Sequence, residues 1–137
     1  MITTLAENEV FIAGTNMNGH HYGGAAAQAH RDFGLVWGIP EGLSGQTYAF
    51  PTLEREMTKR GTKALERSRD RLYETARALP EKTFLLTPVG MGIAGYSYDE
   101  IAPLFVNLPD NIKKVGWNQY ADQSQEIINR KVREIEG

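Results

Sequence analysis

The stretch from Glu9 to Gly34, EVFIAGTNMNGHHYGGAAAQAHRDFG, decides how the rest of the chain is read. Val10, Phe11, Ile12 and Ala13 form a short apolar run stopped by Gly14, the pattern of an inner strand. Gly14 to Gly24 holds Gly14, Asn16, Asn18, Gly19, Gly23 and Gly24 within eleven positions, too many turn-forming residues for a helix or a strand. Ala25 to Phe33 then combines good helix formers with small side chains that can pack closely on a sheet. A glycine-rich loop feeding a helix start offers main-chain N–H groups that no carbonyl satisfies, and the helix dipole adds to their attraction for an anion. The spacing matches neither the dinucleotide fingerprint nor the Walker pattern, so a phosphate cradle and a plain glycine-rich connection both stay open at this point.

Outward from this unit the chain alternates. Gly38, Pro40, Gly42 and Gly45 make the next stretch a loop, and Gln46 to Phe50 reads as a second strand stopped by Pro51, with Thr52 just past its end. Leu53 to Arg60 is charged and reads as a loop or short irregular helix. Thr62 to Leu79 is an amphipathic helix with Leu65, Ser68, Leu72, Ala76 and Leu79 on one face, Thr62 as N-cap and Pro80 beyond its end. Between Glu54 and Arg77 lie eight Lys/Arg and five Asp/Glu, the composition of a solvated helix face. Thr83 to Val89 reads as a third, doubly buried strand. Gly90 to Gly95 is a second glycine-rich loop, and Ser97 with Glu100 forms a capping box ahead of a helix that Pro103 keeps short. Ile112 to Trp117 holds a short edge strand, and Ala121 to Glu136 an amphipathic helix with Ile127, Ile128, Val132 and Ile135 inward.

This order predicts an α/β fold with a mostly parallel sheet and helices on both sides, in one domain spanning 1–137. Ligands of such sheets gather at the carboxyl ends of the strands, and both glycine-rich loops immediately follow strands. Together the two loops favour a phosphate-bearing ligand. The 137 residues suffice for one core, and 41% hydrophobic with 23% charged residues suits a globular chain. A net charge of −2 argues against general nucleic-acid binding, and the lack of cysteine removes disulfides and thiolate chemistry. The first residues carry no basic-then-apolar leader pattern and no stretch is long and apolar enough to span a bilayer, so the expectation is a cytoplasmic protein without a membrane partner.

The three motif blocks, Gly14 to Ala26, Gly45 to Thr52 and Leu86 to Tyr96, resemble those of macro domains. They are similar in particular to small macro-domain-like proteins of phage and bacterial genomes, whose location would be the host cytoplasm where phage-encoded. The resemblance covers about residues 9 to 108. It implies a three-layer α/β/α domain that binds ADP-ribose, a related NAD-derived nucleotide or an ADP-ribosylated macromolecule, with no cofactor. Carried over, Gly14 is one of the ligand-binding residues, Asn16 faces the distal ribose, and Gly23, Gly24 and Ala25 line the pyrophosphate. Gly90, Met91, Gly92, Ile93, Ala94 and Gly95 wrap it from the other side, Tyr96 stacks on or caps a sugar, and Thr52 contacts the ligand. The family's hydrolysing branch has an Asp where this chain has Ala94, and its nucleophilic lysine has no clear counterpart, although Lys59 and Lys63 are near in sequence.

His20 and His21 sit in the first loop and His30 on the helix after it. Adjacent histidines chelate one ion poorly and no carboxylate motif accompanies them, so no metal site is expected. Asn16 and His21 are the candidate catalytic pair, orienting water for hydrolysis of an ADP-ribosyl linkage or a phosphate ester at the distal ribose while loop amides hold the pyrophosphate. The alternatives are a non-catalytic reader or sponge that sequesters a NAD-derived signal, as in phage–host conflict, and a structural protein whose pocket is vestigial.

Overall fold

A computed structural model of the chain describes residues 2–118. In order these form β1 (Glu9–Asn16), α1 (Gly24–Asp32), β2 (Gly42–Ser44), β3 (Thr47–Leu53), α2 (Thr62–Ala78), β4 (Thr83–Leu86), α3 (Tyr98–Ile101) and β5 (Ile112–Lys114). A 3-10 turn at Ala102–Leu104 extends α3. The fold is α/β, with a mixed and mostly parallel sheet in the order β2-β3-β1-β4-β5. β1 pairs in parallel with β3 on one side and β4 on the other, and β4 with β5; only β2 runs antiparallel, against β3.

Side chains alternate across β1, so its apolar run supplies two cores. Val10 and Ile12 join Tyr48, Phe50, Leu65, Leu72, Phe84 and Ile101 on the face covered by α2 and α3. Phe11 and Ala13 join Ala26, Ala29 and Ala49 on the face covered by α1. The alanines of α1 let it approach the sheet closely, as their small side chains suggest. The chain therefore leaves β1 toward one face and leaves the adjacent β4 toward the other. A crevice opens at the carboxyl ends of two parallel neighbours whose connections diverge in this way, the usual ligand position in such sheets.

Several local features differ from the sequence pattern. Pro51 does not stop the second strand: β3 continues to Leu53, and Thr15 pairs with Pro51. β2 begins at Gly42, opposite Ala49, so it does not reach Pro51 on the outer edge of β3; a missing N–H costs no β2 ladder bond there, and the Pro51 carbonyl accepts from Arg60 Nη1 at 2.8 Å. β2 itself carries no apolar alternation and was hidden in the glycine-rich segment. Gly61, not Thr62, is the N-cap of α2, with no side-chain cap. β4 ends at Leu86 rather than Val89: the Thr87 hydroxyl donates to Ile12 O at 2.6 Å, and Pro88 has no N–H to continue the ladder. The capping box of Ser97 and Glu100 forms, and α3 is a single turn before the 3-10 turn containing Pro103. The helix expected over 121–136 lies outside the described residues.

Leu72 is fully buried at the centre of the α2 face. Leu72→Ala removes that packing and leaves a cavity, which should cost about 2–5 kcal/mol in a denaturant titration. A loss under about 0.5 kcal/mol would mean that α2 does not pack there.

Candidate functional site

The crevice is a cavity of about 990 Å³ at the carboxyl edge of the sheet. Its centre is the meeting of the two glycine-rich loops. A Cβ built on Gly14 would sit 3.3 Å from Gly90 N, so β1 and the loop after β4 run close together because Gly14 has no side chain. Gly90 has φ +80°, and a Cβ there would meet Tyr96 Cδ2 at 2.9 Å. Farther out, the Ile93 side chain reaches across to Gly23, where a Cβ would lie 2.8 Å from Ile93 Cδ1.

The hydroxyls around this centre are already engaged. Thr15 Oγ1 donates to Pro40 O at 2.6 Å, Thr87 Oγ1 to Ile12 O at 2.6 Å, and Thr52 Oγ1 lies 3.4 Å from Thr15 O. Main-chain amides are not. At the start of α1, the N-cap is Gly23 with no side-chain cap, and the first intrahelical donor is Ala27, to Gly23 O. Gly24, Ala25 and Ala26 thus donate to no acceptor among the described residues. In the second loop Met91, Gly95 and Tyr96 donate to Pro88, Gly92 and Gly90, whereas Gly92, Ile93 and Ala94 have no such bond among the described residues. All six of these residues line the cavity, together with Lys114 and, among the described residues, no carboxylate side chain. Two sets of N–H dipoles without acceptors, in a site with no negative charge among the described residues, make a favourable place for an anion.

The residues singled out in the sequence separate into two groups. Gly14, Asn16, Gly23, Gly24, Ala25, Thr52, Gly90, Gly92, Ile93 and Ala94 line the cavity. His21, Met91, Gly95 and Tyr96 do not. Met91 is buried in the α2 face, and the Gly95 N–H closes a turn to Gly92. Tyr96 is packed inward with its hydroxyl 2.8 Å from Thr52 O and 3.0 Å from Arg60 O, tying the second loop to the end of β3. Burial raises the Tyr96 pKa, which keeps that hydroxyl a donor.

Asn16 lines the cavity, but its amide is employed in shaping the first loop. Oδ1 accepts from the N–H groups of Asn18 at 3.1 Å and His20 at 3.2 Å, and Nδ2 donates to His20 O at 2.8 Å. One Nδ2 hydrogen is left over. His21 is turned away from the cavity and is 3% exposed. Its Nε2 lies 3.0 Å from Val36 O and is the protonated nitrogen, while Nδ1 is buried without a hydrogen-bond partner among the described residues. Burial pushes its pKa below the ordinary histidine value; the bond to Val36 opposes this, and the nearby His30 and His20 add to the lowering. The three histidines pack around Trp37 rather than around a common centre, and no group of three or more His, Asp or Glu among the described residues is placed to hold a metal ion.

Sequence reasoning did not single out His20, Tyr22, Tyr98, Lys114 or Trp117 as cavity residues. Lys114 ends β5 and Trp117 follows it, so their place at the carboxyl end of a strand was an available signal. Tyr98 depends on how α3 packs and had none. No protein-family model, curated protein or solved structure matches the chain, and no helix among the described residues is long and apolar enough to cross a membrane.

The depressed His21 pKa has a definite sign for stability. Between the lowered folded value and about 6.5 the unfolded chain binds more protons, so His21 costs nothing above that window and destabilises as pH falls through it. The drop in unfolding free energy from pH 7.5 to 5.0 should therefore be smaller in His21→Gln than in the parent protein. An equal drop in both would show that His21 is not a buried neutral imidazole.

Proposed function

We propose that the protein binds ADP-ribose or a related NAD-derived nucleotide, with the pyrophosphate held between the two glycine-rich loops. The reading includes a three-layer α/β/α architecture of the macro-domain kind, which the packing of α1 against one face of the sheet and α2 and α3 against the other supports. One observation carries it: Gly24, Ala25 and Ala26, and Gly92, Ile93 and Ala94, whose amides have no acceptor among the described residues, line one cavity with no carboxylate among its described lining residues. A pyrophosphate has acceptor oxygens on both sides and suits two rows of donors in one cavity. Preorganised backbone dipoles supply the charge balance without a cluster of lysines.

A non-catalytic reader or sponge is favoured over a hydrolase by the positions of the expected catalytic pair. The Asn16 amide is taken up by the loop, and His21 is buried with its one donor on Val36. Ala94 also stands where the hydrolysing branch of the resembled family carries an acid. A free nucleotide and an ADP-ribosyl group on a macromolecule both present the same pyrophosphate to the loops.

The test is thermal unfolding with ADP-ribose, followed by mass analysis of the recovered ligand. At a hundredfold excess over Kd the complex gains about 2.7 kcal/mol, and the ligand is recovered intact. Gly92 offers a clean variant, because a Cβ there meets nothing within 4 Å. Gly92→Asp places a carboxylate beside the amide row and should weaken binding at least about tenfold by like-charge repulsion, with little change in the ligand-free melting temperature. Wild-type protein with no shift would overturn the nucleotide reading, and a cleaved ligand would replace the reader by an enzyme.

A further inference from the structure

The cavity has aromatic side chains on either side of the amide cradle, an exposed Tyr22 on the β1 side and, on the β5 side, Trp117, which is 6% exposed, with the partly buried Tyr98. After β1, the His20 ring is stacked on Trp37 with centroids 5.4 Å apart and planes at 17°. Tyr22 meets the same indole edge-on at 4.9 Å and is 80% exposed. Both His20 and Tyr22 line the cavity. Asn18 Nδ2 donates to Arg55 O at 2.9 Å, which ties this loop to the segment after β3. After β5, on the far side of β4, Trp117 is fixed by its indole N–H on Leu86 O at 2.7 Å, Tyr98 packs edge-on at 6.4 Å, and Lys114 Nζ lies 4.8 Å above the indole.

We infer that the ligand carries a planar ring at each end of its pyrophosphate, so that the favoured class is a pyrophosphate-linked dinucleotide, with His20 and Tyr22 forming the stacking wall for the second ring. This rests on the amide cradle described above. The alternative for the β1 side is a bare sugar, and sugar hydroxyls are read by free carboxylates and amides. That side has no carboxylate among its described lining residues, and the Asn16 amide keeps only one Nδ2 hydrogen, its Oδ1 already accepting two N–H groups. A ring, in contrast, meets a preassembled stack of His20 on Trp37 with an exposed Tyr22 beside it, and base–aromatic stacking needs no hydrogen-bond readout. Stacking also gives a use to a tyrosine held almost wholly in water. The volume of about 990 Å³ is at the large end for a small-molecule cleft and leaves room for the second ring.

Calorimetric titration with NAD and with ADP-ribose as probes separates the possibilities. Wild-type protein should bind NAD at least about tenfold more tightly than ADP-ribose. In Tyr22→Ala and in His20→Ala that ratio should fall toward one, each variant being read against its own ADP-ribose affinity. ADP-ribose binding without any advantage for NAD would overturn this inference and leave the amide cradle standing. A ratio that persists in both variants would overturn the assignment of the stacking wall. Binding of neither probe would overturn the inference and the nucleotide reading together.

Discussion

Gly14 and Gly90 pass one another at the carboxyl edge of two parallel neighbours, so closely that a Cβ on Gly14 would lie 3.3 Å from Gly90 N. This constraint follows from the topology. β1 and β4 are adjacent and in register from Glu9↔Thr83 to Ile12↔Leu86, yet their connections leave toward opposite faces of the sheet. The two departing loops have to share the space above a single ladder before they separate. Side chains at the crossing would push them apart, and the crevice would close or the ladder would shorten. The cavity is thus a product of how the chain is wound, and glycine is the means by which the loops flank it.

What surrounds the crossing is polar but already satisfied. Thr15, Thr52 and Thr87 turn their hydroxyls to main-chain carbonyls, Tyr96 spans from the second loop to Thr52 and Arg60, and Asn16 holds the first loop in its bend. These bonds fix the loop backbones, and they remove the side chains that would otherwise compete for a ligand. The donors left over are main-chain amides, which cannot swing away or lose their dipoles with pH. An anion there interacts with fixed groups whose ordering cost was met on folding, the physical basis of the proposed binding role.

The elements that carry strong local patterns were legible in the sequence. The apolar run at Val10 to Ala13, the alanine-rich start of α1, the stripe of α2 and the Ser97–Glu100 capping box each express a local rule and each forms, although Gly14 does not stop β1, which runs on to Asn16 because β3 continues beside it to Leu53. Both glycine-rich loops were legible for the same reason. What was not legible depended on partners distant in sequence. Pro51 continues a strand because β2 stops short of it. Histidine in a polar loop looks available, but His21 is buried by Val36 and Trp37, and Tyr96 points inward because Thr52 and Arg60 offer carbonyls there. Trp117 follows a strand and so falls at the carboxyl edge, but that β5 lies beside β4, within reach of the cavity, is set by the strand order, which no periodicity reveals.

The most direct measurement is an amide-resolved NMR titration with ADP-ribose, since the central claim concerns particular N–H groups. Saturation should move the resonances of Gly24, Ala25 and Ala26 together with those of Gly92, Ile93 and Ala94, and slow the hydrogen exchange of both sets. Amides of α2, on the face of the sheet away from α1, should stay in place. Shifts confined to one loop, or centred away from both, would contradict the account of a pyrophosphate held between two rows of main-chain donors.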